Sequence, residues 1–151
     1  MTDLANQNSV VQSLVTLFEN TTIIDRRERP SHGYRAVHIV VNHGGKLIEI
    51  QVRTTLQHVW AELSEKYSDV VDPAIKYGGG TEVAQKLLND ASKLVGLEES
   101  IEGEISEVRG PSSQDDMSSN QRRLIDNFHE AQSSFRQQIQ NLLRKLLERV
   151  R

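Results

Sequence analysis

Four arginines, Arg26, Arg27, Arg29 and Arg35, fall within ten residues, with Tyr34 and His38 beside the last of them. A little further on, Glu49, Gln51 and Arg53 alternate with Ile48, Ile50 and Val52. That alternation has the two-residue period of a strand with one apolar and one polar face. A guanidinium is planar, permanently charged and suited to paired contacts with phosphate. An exposed tyrosine offers a platform for a base. A carboxylate can hold Mg²⁺ together with substrate phosphates, or accept a proton from an attacking hydroxyl. The set reads as the floor of a site for a phosphorylated ligand, with Gln51 and Arg53 orienting Glu49. Plainer alternatives stand beside each assignment. The arginines could be solvated partners of Asp25 and Glu28, Tyr34 could be packing at a strand edge, and His38 could be an ordinary strand residue. Glu49 could simply pair across the sheet with Arg35 or Arg53.

The elements that must position these residues follow from periodicity and turn chemistry. Asn8 or Ser9 is expected to cap a short helix carrying Val10, Val11, Leu14, Leu17 and Phe18, after a polar, frayed start at Met1–Gln7. Thr22–Arg26 reads as a short strand, and Arg26–Gly33 as a loop. Strand Arg35–Asn42 turns through His43-Gly44-Gly45 into strand Lys46–Arg53, a β-hairpin. Thr54 or Thr55 can cap the next helix, whose Leu56, Val59, Trp60, Leu63 and Tyr67 recur at helical spacing. Pro73 and Gly78-Gly79-Gly80 break regularity, and Lys76 and Tyr77 just before the glycines are expected to cover the site as a flap.

Beyond residue 80 the pattern changes. Ala84, Leu87, Ala91, Leu94, Ile101, Ile105 and Val108 make a heptad stripe interrupted by Glu98. Arg109–Ser119, with Gly110 and Pro111, reads as a loop. A second long helix carries Leu124, Phe128, Ala131, Phe135, Ile139, Leu142, Leu146 and Val150. The fold class is therefore α+β: a small, mainly antiparallel sheet with packed helices, then a long C-terminal antiparallel helical hairpin. Residues 1–80 and 81–151 are expected to form the two parts. A hairpin of this length should project beyond a small sheet, so a homo-oligomer formed through it is expected.

The chain has 151 residues, is 36% hydrophobic and 26% charged, and carries a formal charge of −3, so no global basic field points to nucleic acid. It has no cysteine, which excludes disulfides and thiolate metal sites. No apolar run approaches the roughly 18 residues needed to span a membrane. The opening MTDLANQNSVVQ lacks a basic and an apolar signal segment, so the cytoplasm is the expected compartment.

Arg29-Pro30-Ser31-His32-Gly33-Tyr34-Arg35-Ala36-Val37-His38, followed by Glu49-Ile50-Gln51-Val52-Arg53-Thr54, resembles the acceptor-nucleotide half of the RelA/SpoT-type alarmone synthetase family. The likeness covers about residues 20–77. It implies a partial nucleotidyltransferase-like core and a place in guanosine tetraphosphate metabolism and the stringent response. It also implies transfer of pyrophosphate from ATP to the 3′-hydroxyl of GDP or GTP with Mg²⁺ as cofactor. By the same likeness Tyr34 stacks on guanine. Arg26, Arg27, Arg29, Arg35, Gln51 and Arg53 surround the nucleotide, with His38 and Glu49 catalytic and Glu49 also a metal ligand. His32 stands where relatives often carry Asn. The family's ATP-binding half has an Asp-x-x-Gly-x-Arg pattern that occurs nowhere in this chain. The expectation is therefore that ATP binds only if another segment or chain supplies the donor site, and that this chain alone transfers poorly or not at all. The alternative is a degenerate guanine-nucleotide-binding or interaction module that works through the helical hairpin.

Overall fold

The computed structural model describes residues 3–108 and 118–150. The order of elements is α1 (Leu4–Leu17), β1 (Thr21–Asp25), β2 (Val37–His43), β3 (Lys46–Val52), α2 (Thr55–Val70), a 3₁₀ turn (Pro73–Tyr77), α3 (Glu82–Val108) and α4 (Ser119–Arg149). The three strands form one antiparallel sheet in the order β1-β2-β3. The expected hairpin is present, turning at Gly44-Gly45. Its register sets Val37 opposite Val52, His38 opposite Gln51 and Val40 opposite Glu49. Alternation then assigns the faces. Val37, Ile39, Val41 and Val52 are buried, with Val11, Leu14 and Phe18 of α1 packed on them. His38, Glu49 and Gln51 share the other face.

Helix α1 begins earlier than expected. Asp3, not Asn8 or Ser9, is the cap and accepts from the Asn6 N–H at 2.7 Å. Gln7, expected in a frayed segment, is fully buried. Its amide donates to the Val52 carbonyl and to Gln57 Oε1, each at 2.8 Å, so a polar side chain ties α1 to the end of β3. Helix α2 starts with a reciprocal cap: Thr54 Oγ1 accepts from the Gln57 N–H, and Gln57 Oε1 accepts from the Thr54 N–H.

A second apolar cluster lies among the helices. It joins Leu56, Val59, Trp60 and Leu63 of α2 to Ile75, to Leu88, Ala91 and Val95 of α3, and to Ile139, Leu143 and Val150 of the C-terminal segment. The cluster thus runs across residue 80. Truncating enclosed leucines such as Leu63 or Leu143 to Ala would cost about 2–5 kcal/mol each. With 27 and 31 residues, α3 and α4 are about 40 and 46 Å long. They run antiparallel, since Glu98 meets Gln132 while Ile101 and Ile105, further along α3, line one hollow with the earlier Leu124 and Phe128 of α4. The buried rows differ from the heptad reading. On α4, Leu143 is enclosed while Leu142 is 47% exposed, and on α3 Leu88 is buried more deeply than Leu87. A helix of 3.6 residues per turn drifts away from a strict heptad. The predicted loop Arg109–Ser119 lies outside the described residues except at its end, where Ser118 caps α4. Among the described residues, no helix is long and apolar enough to cross a membrane.

Candidate functional site

The polar face of the hairpin carries a continuous chain of hydrogen bonds. His38 Nδ1 lies 3.2 Å from Glu49 Oε1, and His38 Nε2 lies 2.9 Å from the Tyr34 hydroxyl. Arg53 Nη2 and Nε donate to that hydroxyl at 2.8 and 3.2 Å. Gln51 Nε2 donates to Glu49 Oε1 at 2.8 Å, while Gln51 Oε1 accepts from Arg53. The Tyr34 O–H faces two acceptors, Gln51 Oε1 at 3.3 Å and His38 Nε2, and with the nearer one taken one proton arrangement satisfies the series. Nδ1–H of His38 donates to Glu49, Nε2 accepts from the Tyr34 O–H, and the tyrosine oxygen accepts from Arg53. The Arg53 guanidinium also stands 5.1 Å from the centre of the Tyr34 ring. Strand pairing places Gln51 opposite His38 and Glu49 two residues along, so the register builds most of this chain.

Gln51's hydrogen bond holds the Glu49 carboxyl below its ordinary range, against a desolvation push upward, and a hydrogen bond from His38 adds to the lowering. Glu49 is therefore an ionised carboxylate at neutral pH, a better orienting group or cation ligand than proton acceptor. Both of its polar contacts fall on Oε1, so Oε2 makes no hydrogen bond or ion pair among the described residues. One carboxylate oxygen fits Mg²⁺ only if phosphates and water complete the shell. Among the described residues, no group of three or more His, Cys, Asp or Glu is gathered to hold a metal.

Tyr34, His38, Gln51 and Arg53 line a hollow of about 230 Å³ whose other walls include His32, Trp60, Ser64, Glu65 and Lys76. A second hollow of about 360 Å³ shares Gln51 and Arg53 and continues over Thr54, Thr55 and His58 at the start of α2. Trp60, Ser64 and Glu65 were not singled out for this role from sequence. Their signal was the spacing that puts 60, 61, 64 and 65 on one side of α2. Lys76 is one of the residues lining the hollow, whereas Tyr77 is 81% exposed. His32 is a non-glycine residue with φ +51°, a conformation that His, Asn and Asp adopt more readily than most residues.

The four clustered arginines part company. Arg27 binds Asp25, at 2.5 Å, and reaches Asn8 and Gln7 of α1. Burial pushes the Asp25 carboxyl up, but the hydrogen bonds and charge of Arg27 outweigh it and hold that carboxyl below its usual range. Arg35 turns toward α3 and pairs with Glu99 at 2.9 Å, its guanidinium 3.1 Å from where a Cβ on Gly96 would lie. Neither lines the hollow. Arg26 and Arg29 are exposed, and their side chains form no ion pair among the described residues.

Residues 2–68 match the family model described as "Region found in RelA / SpoT proteins". This stretch is a RelA/SpoT-type region. The RelA/SpoT-type region ends near the close of α2, so α3 and α4 lie outside it. Three curated proteins, one from Mycobacterium bovis and two from strains of Mycobacterium tuberculosis, are each 34% identical to this chain over 76 residues. All three are described as uncharacterized. The alignment covers 49% of this chain and 28% of each relative, so the chain spans little more than a quarter of their length. No solved structure matches.

Proposed function

We propose that this chain provides the acceptor-nucleotide site of an alarmone synthetase, holding GDP or GTP for pyrophosphate transfer from ATP to the 3′-hydroxyl. The observation that carries this reading is the group Tyr34, His38, Gln51 and Arg53, which lines one hollow and is tied to Glu49, outside that lining, through His38 and Gln51. Tyr34 presents its ring to guanine. Arg53, with the exposed Arg26 and Arg29, meets the phosphates. Gln51 keeps Glu49 and Arg53 in line. His38, held by Glu49, handles the proton of the attacking hydroxyl. Arg27 and Arg35 serve differently, tying the chain before and after Tyr34 to α1 and α3 respectively. Mg²⁺, when bound, would neutralise phosphate charge, and Glu49 is the carboxylate that would hold it. The ATP site comes from another segment or chain, because the donor pattern is missing from this sequence. The proposed compartment is the cytoplasm, where these nucleotides are found.

The test is a titration with GDP, GTP and ATP followed by the fluorescence of Trp60, the single tryptophan, whose ring centre is 6.4 Å from that of Tyr34. Guanine nucleotides should change the signal saturably and ATP should not. Equal responses to all three would defeat the reading. Sustained alarmone synthesis by the purified chain from ATP and GDP would defeat the separate donor site.

A specific feature supports an oligomer of this chain as well. At the far end of the hairpin, Ile101, Ile105, Leu124, Ile125 and Phe128 line a hollow of about 420 Å³, and Leu124 and Phe128 are 67% and 66% exposed. A second copy covering this end would bury both. Sedimentation of the Leu124→Ser, Phe128→Ser double variant should then show a smaller species than wild type, and identical profiles would rule the contact out.

A further inference from the structure

We infer that α3, which lies outside the RelA/SpoT-type region, is part of the site: Ser92 and Glu99 are positioning residues that hold Tyr34 and Arg53 in place. Leu88, Ser92, Gly96 and Glu99 succeed one another at steps of four, four and three, one face of α3. Each meets the site's supports. The Leu88 carbonyl accepts from Trp60 Nε1 at 2.9 Å, fixing the wall of the hollow. Ser92 Oγ donates to the Gly33 carbonyl at 2.6 Å. Gly96 leaves room for the Arg35 guanidinium, and Glu99 binds it.

The residue before Tyr34 is therefore held tightly. Gly33 has φ +84°, and a Cβ there would stand 2.8 Å from Trp60 Cζ2 and 3.1 Å from Ser92 Cβ. Tyr34 is thus flanked by a glycine pinned to Ser92 and an arginine pinned to Glu99. Glu99 acts a second time. Its other oxygen accepts from Gln57, which caps α2 at Thr54, the residue after Arg53. Both ends of the Tyr34–Arg53 contact are anchored on one helix face. Arg35 and Glu99 side chains are 17% and 5% exposed, so the pair is largely shielded from water. The consequence for nucleotide affinity rests on the acceptor-site reading above, whereas the positioning does not.

Ser92→Ala and Glu99→Gln test it. Alanine is a better helix former than serine, so the first variant should keep the fold. The deciding readout is the ring-nitrogen chemical shifts of His38 in nucleotide-free protein. Wild type should show the Nδ1–H form with Nε2 accepting from Tyr34. In the variants the turn relaxes and the Nε2 shift should move toward that of an unbonded ring nitrogen while Nδ1–H stays on Glu49, with far-ultraviolet circular dichroism unchanged. Lys93→Ala, on the exposed side of the same turn of α3, should match wild type. GDP should bind Ser92→Ala roughly tenfold more weakly, equivalent to about 1.4 kcal/mol. A wild-type His38 pattern in both folded variants would overturn the inference. Failure of wild type to bind GDP would instead overturn the acceptor reading and leave the His38 result to stand by itself.

Discussion

Two polar regions of this molecule are built from the same side chains and do different work. On the open face of the hairpin, Glu49, Gln51, His38 and Arg53 lie at the border with solvent, and Glu49 is held ionised by its donors. Between the helices, Glu98 and Glu102 meet Gln132 and Arg136, and Glu98 is only 2% exposed. There desolvation is the largest influence and raises both carboxyls, although Arg136 and, for Glu102, the Leu4 N–H pull them down. A carboxylate that keeps its charge on an open sheet face, 46% exposed, is available to a ligand. One that is pushed toward neutrality inside a helix bundle serves packing and register. Burial, not residue type, separates the two.

The largest effect should come from breaking the buried region. Arg136→Met leaves Glu98 and Glu102 without their cation, and losing one partner of a buried pair costs about 3–5 kcal/mol. Raised carboxyls favour the protonated form in the folded state. Their contribution is therefore fully present below the unfolded carboxylate range and is lost as pH rises through the raised folded values. Removing Arg136 raises those values further, so the variant should lose more stability at about pH 8 than at about pH 5. Urea unfolding at both pH values decides this, and an equal loss at both would contradict it.

A smaller effect is expected at the joint between the regions. Gly33→Ala forces a side chain into a left-handed conformation and against Trp60, which should cost about 1–3 kcal/mol in the same unfolding measurement. No loss would mean the turn is looser than its contacts imply. The smallest effect on stability belongs to the open face. Glu49→Gln should leave the unfolding midpoint unchanged yet alter the His38 ring-nitrogen pattern, because the acceptor for Nδ1–H is weakened. A drop in midpoint comparable to that of Arg136→Met would erase the distinction between the two regions.

The open face was legible in the sequence because its information is local. Strand alternation gave Glu49, Gln51 and Arg53 a common face, and the glycine pair fixed the register that brings them to His38. The caps at Thr54 and the long helices were equally visible. The buried region was not, since hydropathy assigns Gln7, Gln57, Glu98, Glu99 and Gln132 to the surface, and each is buried by a partner distant in sequence. The arginines show the same limit. Arg27 and Arg35 looked like members of one phosphate-binding group, and long flexible side chains at neighbouring positions carry no sign of which helix each will reach. Glu99 and Gly96 would have been the clue for Arg35, but they sit more than sixty residues away.

The central claim is that the open face is a working guanine-nucleotide site. Calorimetric titration of the folded chain with GDP in the presence of Mg²⁺, beside Tyr34→Ala, tests it most directly. Losing a stacking platform costs about 1–3 kcal/mol, so the account predicts saturable binding by wild type that weakens at least several-fold in the variant. Absence of GDP and GTP binding in the folded protein, or equal affinity in Tyr34→Ala, would contradict it.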